Sequence, residues 1–168
     1  LTSNALGNIV WQLDLDEATG QIAYNTSGRG DGIINTDGTN HRTFNNAGCC
    51  EAVAYNRTTD QVFATENNSG SQIGVTNASS PFNQSFISTS NGIFTPSLEI
   101  DETNGFLYMG TSRGVYRSNL DGTGAKKILD SFDSFIYGLQ LDLTNDVLYF
   151  SGIDGGNSNI SAENQVTG

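Results

Sequence analysis

The sequence has few basic residues and no long apolar segment, and each shortage excludes a class of function. Seven lysines and arginines stand against 18 aspartates and glutamates, which gives a formal net charge of −11. Nucleic-acid binding requires phosphate neutralisation, so this balance argues against DNA or RNA as a partner. No apolar run approaches the roughly 20 residues of a membrane-spanning helix, so membrane insertion is not expected either.

Residue types that carry catalysis are also scarce. The single histidine, His41, lies beside a predicted turn, so no Ser-His-Asp set can be argued and a surface position is expected. The two cysteines are adjacent, which differs from the Cys-x-x-Cys spacing of redox enzymes. The glycines follow turn patterns rather than phosphate-binding loops. These shortages predict that the chain is not an enzyme.

A repeated motif dominates what remains. Its copies cover residues 13–24, 53–64, 98–108 and 139–150. Their turn residues Gly20, Asp60, Gly105 and Asp146 follow one another at intervals of 40, 45 and 41 residues. A period of about 40–45 residues with four strands per repeat is typical of β-propeller blades. The sequence therefore predicts one all-β propeller domain. Its blade units are roughly 9–44, 45–92, 93–135 and 136–168.

The third unit shows the blade plan most clearly. Its strands are expected at 97–100, 106–110, 114–118 and 126–129. Asn104-Gly105 predicts a tight hairpin turn, because glycine adopts positive φ readily. The fourth unit stops before its outer strand, and the repeat alignment assigns residues 1–8 to that place if the ends meet. The alternative is that these blades belong to a larger ring.

These repeats resemble the YWTD, or LDL-receptor class B, propeller repeats. The resemblance rests on Leu-x-Leu-Asp in the first strand, Leu-Tyr in the second and Asp-Gly-Thr after the third. The defining tetrad is degenerate and occupies residues 23–26, 63–66, 108–111 and 149–152. Members of this family close with six blades and serve as extracellular binding modules, so the resemblance implies such a fold and role.

Six N-x-Ser/Thr sequons favour an extracellular glycoprotein. They are Asn25, Asn56, Asn67, Asn77, Asn83 and Asn159. The four from Asn56 to Asn83 fall in predicted loops or turns, where a glycan can be accommodated.

Cys49 and Cys50 are expected to form a vicinal disulfide, because only two cysteines are present in a chain of extracellular type. Adjacent Cα atoms lie about 3.8 Å apart, closer than ordinary disulfides, so the ring would be strained. It would lie where the second inner strand begins, at a propeller mouth. Bridges to other chains or segments, and free thiols, are the alternatives.

Glu51 is a weak metal candidate, because lactonase-like propellers hold a divalent ion near such a position. Calcium takes six to eight oxygens, and Glu51 with Asn91 and Asp133 does not make a site. No metal or cofactor is therefore predicted, although calcium is kept as a weak alternative. The recurring aspartates at one repeat position are expected to cap the first hairpin rather than to ligate calcium. They are Asp14, Asp16, Asp101 and Asp142.

Three aromatic residues, Trp11, Phe94 and Tyr137, lie near inner strands. They line the inter-blade core or form a recognition platform, and both interpretations stay open here. Together these patterns predict an extracellular structural or interaction module that contacts proteins or glycans, with homo-assembly into a fibre or surface appendage as one version. The alternatives are a metal-dependent propeller hydrolase or lactonase and a carbohydrate-binding lectin.

Overall fold

The computed structural model describes nine stretches of the chain. They are residues 10–16, 21–26, 30–43, 52–66, 72–79, 85–88, 95–130, 135–154 and 157–164. The described residues form fifteen strands in four antiparallel sheets, so the all-β prediction is confirmed. The chain divides into two compact units, residues 1–88 and 89–168, and each is described by itself. Within the described stretches, no helix is long and apolar enough to cross a membrane.

The first unit holds two sheets of four strands, each hydrogen bonded in chain order. The first sheet consists of β1 (Val10–Asp16), β2 (Gln21–Thr26), β3 (Gly30–Asn35) and β4 (Arg42–Thr43). The second sheet consists of β5 (Val53–Asn56), β6 (Gln61–Glu66), β7 (Gln72–Asn77) and β8 (Ser85–Ser88).

The second unit holds the third and fourth sheets. The third sheet consists of β9 (Ser97–Asp101), β10 (Phe106–Thr111), β11 (Gly114–Asn119) and β12 (Lys126–Asp130). The fourth sheet consists of β13 (Ile136–Asp142), β14 (Val147–Asp154) and β15 (Asn157–Asn164). The predicted strands of the third unit are confirmed to within one residue at each end. Residues 1–8 lie outside the described stretches, so their assignment to the fourth sheet stays a prediction.

The first hairpin of each described repeat turns on a residue with positive φ. Gly105 has φ of +72°, as the Asn-Gly pattern predicts, and Asp60 and Asp146 take the equivalent place with φ of +56°. Glycine adopts this left-handed conformation without strain, and aspartate is among the few other residues that visit it. The local sequence therefore specifies where these hairpins reverse.

Side chains at the end of the first strand cap these hairpins. The Asp101 carboxylate accepts hydrogen bonds from the backbone N–H and the side-chain amide of Asn104, at 2.9 and 2.7 Å. Asp142 accepts the same pair from Asn145 at 3.1 and 2.8 Å. The capping role is confirmed for these two residues, whereas the side chains of Asp14 and Asp16 lie outside the described set.

A second turn recurs after the third strand, with the sequence Asn-x-Asp-Gly-Thr at 35–39 and 119–123. In both copies the aspartate accepts hydrogen bonds from the backbone N–H and hydroxyl of the threonine two residues later, at 2.6–2.9 Å. The side-chain and backbone hydrogen bonds from Thr39 and Thr123 lower the pKa of Asp37 and Asp121 below the ordinary value. The two copies show that the repeat reproduces hydrogen bonds as well as strands.

The core of the second unit lies between its two sheets. Tyr108 and Val115 of the third sheet pack with Ile136, Leu148 and Phe150 of the fourth. The inner strands β9 and β13 lie against each other, and the Ser97 hydroxyl donates to the Ile136 carbonyl at 2.8 Å. In the first unit, a buried cluster lies within the second sheet and consists of Val53, Tyr55, Val62 and Ala78, which follows β7.

Asp60 joins the second hairpin to its surroundings and makes stability depend on pH. Its carboxylate accepts hydrogen bonds from the Tyr55 hydroxyl and the Ser79 backbone N–H, each at 2.9 Å. Burial acts to raise the pKa of Asp60, but these hydrogen bonds and the charge of Arg42 outweigh it, so the pKa lies below its ordinary value of 3.8.

Asp60→Asn is therefore expected to destabilise the fold at about pH 7 and to matter less in acid. Because the folded-state pKa is depressed, the stabilisation is present above the unfolded value and is lost as pH falls through the folded value. Urea unfolding at neutral and acid pH measures this. Asp146→Asn, at the same φ, is the matched control for the exchange itself. A deficit in Asp60→Asn that stays constant down to about pH 2.5 would contradict the assignment.

Candidate interaction surface

Two aromatic rings, named here the aromatic platform, lie where β13 begins. Tyr137 is 50% exposed, and its ring centroid lies 5.7 Å from that of Phe135 at an interplanar angle of 45°. The register of β13 against β14 shifts between Ile136 and Gly138, so Tyr137 falls at an irregularity of the ladder. Ile136 is buried and Tyr137 is exposed, because successive residues of a strand point to opposite faces.

Two glycines beside the platform allow close backbone approach. A Cβ at Gly152 would lie 3.3 Å from the Phe135 carbonyl oxygen, and a Cβ at Gly138 would lie 2.7 Å from the Ser151 hydroxyl. A Cβ at Gly152 would therefore press on a backbone atom, and a Cβ at Gly138 would require the Ser151 side chain to move. The backbone that carries the platform is packed against β14, so the rings project from a supported segment.

Of the two interpretations of the aromatic residues, the exposure of Tyr137 favours the platform over the core. Phe94 and the side chain of Trp11 lie outside the described set. Tyrosine offers apolar area together with a hydroxyl, and it is enriched at protein interfaces. The platform can therefore stack on an apolar or planar group and exchange a hydrogen bond with it.

Further along the same strand, a polar pair joins the two inner strands. The Gln140 side-chain amide donates to the Glu99 carboxylate at 3.2 Å, and the pair is exposed. The sequence pattern does not predict this contact, although each residue occupies the same place in its repeat. This contact ties β13 to β9 close to the platform.

Two other large apolar side chains are exposed among the described residues. Tyr149 on β14 is 41% exposed, and Leu143, in the turn between β13 and β14, is 48% exposed. Sequence analysis did not single out Tyr149. Its equivalence to the buried Tyr108 in the repeat would have predicted burial, so no sequence signal marks its exposure.

The third sheet contains a buried polar cluster with a structural role. The Arg117 guanidinium lies 4.2 Å from the centroid of the Phe106 ring, and its side chain is hydrogen bonded to Tyr108. Burial raises the pKa of the Tyr108 hydroxyl, and the hydrogen bond from Arg117 opposes this rise. The cluster gives a buried cation an aromatic ring and a hydroxyl as partners inside the sheet.

The remaining predicted site residues are those of the disulfide, the weak metal candidate and the single histidine. Cys49, Cys50, Glu51, Asn91 and Asp133 lie outside the described stretches, so the disulfide and the weak metal candidate stay predictions. His41 is exposed, as expected. Among the described residues, no group of three or more His, Cys, Asp or Glu side chains is placed to hold a metal ion.

The sequons whose side chains are described differ in exposure. Asn56, expected in a loop or turn, ends strand β5, is only 1% exposed, and accepts a hydrogen bond from the Thr59 N–H at 3.1 Å. It takes the place of Asp101 as the hairpin cap, which leaves its amide inaccessible to a glycan in this fold. Asn77 ends β7 and is exposed. Asn67 and Asn83, and the side chains of Asn25 and Asn159, lie outside the described set.

Comparison with known proteins shows similarity in structure but not in sequence. No protein-family model matches the chain, and no curated protein matches it. A chain in the crystal structure of a nidogen/laminin complex is similar over 94% of this chain, with a TM-score of 0.81 and 16% identity. The extracellular domain of a hybrid two component system from B. thetaiotaomicron is similar over 93%, with a TM-score of 0.67 and 16% identity.

This chain spans 61% of the nidogen/laminin complex chain and 21% of the B. thetaiotaomicron chain. The likeness supports a β-propeller fold, which is the fold that the repeat predicts. The similar structures are an extracellular domain and a chain of a protein complex. At this level of identity the likeness concerns the fold alone.

Proposed function

We propose that this chain is an extracellular interaction module that binds a protein partner through the aromatic platform of Phe135 and Tyr137. The observation that carries the proposal is the half-exposed Tyr137 beside the buried Ile136, with its ring against that of Phe135. Scattered apolar side chains on a surface are ordinary, but a supported aromatic pair at the start of an inner strand is a better candidate for recognition.

The physical basis is that the platform is already ordered. A tyrosine has few rotatable bonds, and contact with Phe135 and the supported backbone restricts them further, so binding immobilises little additional freedom. The capped hairpins keep the surrounding strands in register. The net charge of −11 favours a partner with a basic surface, which the field of the chain would attract.

A protein partner is preferred to a glycan because the structure with the higher TM-score belongs to a protein complex. Laminin is the partner that its title names, so purified laminin is a reasonable first probe for this chain. A tyrosine can also stack on a sugar ring, and glycan binding is therefore one arm of the test. The proposal includes no catalytic step, and the propeller hydrolase or lactonase alternative depends on Glu51, outside the described residues.

We also propose that the chain is a secreted glycoprotein in which Cys49 and Cys50 pair with each other. Asn77 is the sequon best placed for a glycan among those whose side chains are described, because it is exposed at the end of β7. Intact mass before and after enzymatic deglycosylation measures the glycan. Intact mass after alkylation, with and without prior reduction, measures whether the two cysteines are paired.

Tyr137→Ser is expected to weaken partner binding by at least about tenfold, since anchoring aromatic residues commonly contribute 2 kcal/mol or more. Binding of the intact chain is measured by biolayer interferometry against purified laminin, a panel of basic extracellular proteins and a glycan array. Leu143→Ser is the control, because Leu143 is as exposed as Tyr137 but lies in the hairpin turn at the other end of β13.

Two results would overturn the proposal. The first is glycan binding without protein binding, which would make the chain a lectin. The second is protein binding that Tyr137→Ser and Leu143→Ser reduce equally, which would place recognition elsewhere. For a basic partner, binding is also expected to weaken as salt is raised, because screening removes the electrostatic attraction.

A further inference from the structure

The first hairpin of the third sheet contains a pair of residues that is prone to a spontaneous covalent change. Asn104 and Gly105 lie in the turn between β9 and β10, and Asn104 is exposed to water. Asparagine is among the thermolabile residue types. Because Gly105 has no Cβ, its backbone nitrogen is unhindered and can attack the side-chain carbonyl carbon of Asn104. The turn therefore holds the two reacting groups of a deamidation in adjacent residues.

The folded hairpin engages both reacting groups in hydrogen bonds to Asp101. The Gly105 N–H donates to the Asp101 backbone carbonyl at 2.9 Å. The Asn104 side-chain amide donates to one oxygen of the Asp101 carboxylate at 2.7 Å, and the Asn104 backbone N–H donates to the other at 2.9 Å. Asp101 itself is buried, so these acceptors are shielded from water. The nucleophile and the electrophile are therefore each bound to Asp101 rather than to one another.

Two other turns of the repeat show a similar arrangement. Aspartyl-glycyl pairs close to the same type of cyclic imide, and they occur at Asp37-Gly38 and Asp121-Gly122. In each pair the glycine N–H donates to the carbonyl of an earlier asparagine, Asn35 or Asn119, at 2.8 and 2.9 Å. Each aspartate carboxylate accepts hydrogen bonds from a threonine, which favour its ionised and less electrophilic form. All three of these turns keep the glycine nitrogen in a hydrogen bond.

We propose that Asn104 is a latent deamidation site, which the Asp101 cap keeps closed in the folded chain and which reacts when the hairpin opens. In the reaction, the Gly105 nitrogen gives its proton to water or hydroxide and bonds to the side-chain carbonyl carbon of Asn104. The bond from that carbon to the side-chain amide nitrogen breaks, and the nitrogen takes up a proton and leaves as ammonia. Water then opens the cyclic imide at either carbonyl, which yields aspartate or isoaspartate at position 104.

The products of this reaction could not restore the cap. A carboxylate at position 104 has no N–H to donate, and it would face the buried Asp101 carboxylate, which repels a like charge. Isoaspartate also adds one atom to the backbone of a turn whose flanking residues, Asp101 and Phe106, are register partners. Conversion is therefore expected to open the hairpin permanently. The inference goes beyond the proposed function, because this hairpin carries neither Phe135 nor Tyr137.

Peptide mapping by mass spectrometry, with fragmentation that distinguishes aspartate from isoaspartate, measures the conversion of Asn104 during storage at mildly alkaline pH. Conversion in the folded chain is expected to be at least about a hundredfold slower than in guanidinium chloride, because only the open fraction of hairpins reacts. Hydrogen exchange of the Gly105 amide measures that fraction independently, and the two factors should agree. Gly105→Ala should slow conversion even in the unfolded chain, because its Cβ hinders the attacking nitrogen.

Asp101→Asn is expected to speed the conversion of Asn104 in the folded chain by at least about tenfold, since it removes a hydrogen bond to a charged group. Asp142→Asn is the matched control, because Asp142 makes the same pair of contacts with Asn145 in the fourth sheet. Circular dichroism checks that both variants keep the wild-type fold.

Three results would overturn the proposal. The first is conversion of Asn104 at equal rates in the folded and the unfolded wild-type chain. The second is an unfolded chain in which Asn104 does not convert, and the third is an equal effect of Asp101→Asn and Asp142→Asn on its rate. The comparison of folded and unfolded wild type, together with hydrogen exchange, tests the proposal even if Asp101→Asn does not fold.

Discussion

Replacing Gly110 with alanine is expected to lower the free energy of unfolding by about 3 kcal/mol, the upper part of the range for overpacking a core. A Cβ on Gly110 would lie 2.8 Å from the Ile136 side chain and 2.9 Å from the Ile136 carbonyl oxygen, and it would also meet the Ser97 hydroxyl. The carbonyl belongs to the backbone of β13 and cannot rotate away. Moving the hydroxyl would break the buried 2.8 Å hydrogen bond that joins the two inner strands.

Urea unfolding of Gly110→Ala and Gly105→Ala measures this effect against a matched control. A Cβ at Gly105 has open space around it, so only the left-handed conformation at φ of +72° is unfavourable, at about 1 kcal/mol. The double variant Ser97→Ala/Gly110→Ala should lose less free energy of unfolding than the sum of the two single variants, because Ser97→Ala removes one of the clashing atoms. Equal losses in the two glycine variants would show that the inner strands separate easily.

The parts of this fold that the sequence predicts are those that depend on local chemistry. Asp101, Gly105 and Gly122 mark turns by hydrogen bonds and φ angles that nearby residues fix, and they return with the period of the repeat. The alternation of apolar residues then predicts the strands between them. Fold class and blade units follow from these signals without knowledge of any distant contact.

The candidate sites depend on information that the local sequence does not contain. Tyr137 falls at the register shift between Ile136 and Gly138, and alternation of residue types gives no sign of such a bulge. Asn56 matches a glycosylation sequon, yet its amide caps the turn that Asp101 caps in the next repeat. Both outcomes depend on the backbone geometry of one or two residues, which a repeat pattern in the sequence does not specify.

Tyr108→Ala is expected to lower the free energy of unfolding by about 3–5 kcal/mol, whereas Tyr149→Ala is expected to lower it by less than about 1 kcal/mol. The two tyrosines hold the same position of the repeat, so propensity and strand position are matched. Tyr108 is buried against the fourth sheet, and its loss would leave a cavity and deprive the buried Arg117 of a hydrogen-bond partner. Tyr149 is 41% exposed.

Urea unfolding at low protein concentration isolates this difference, and comparable losses in the two variants would contradict the burial argument. Circular dichroism of each variant before unfolding checks that both keep the wild-type fold, so that the two losses compare packing at one position of the repeat.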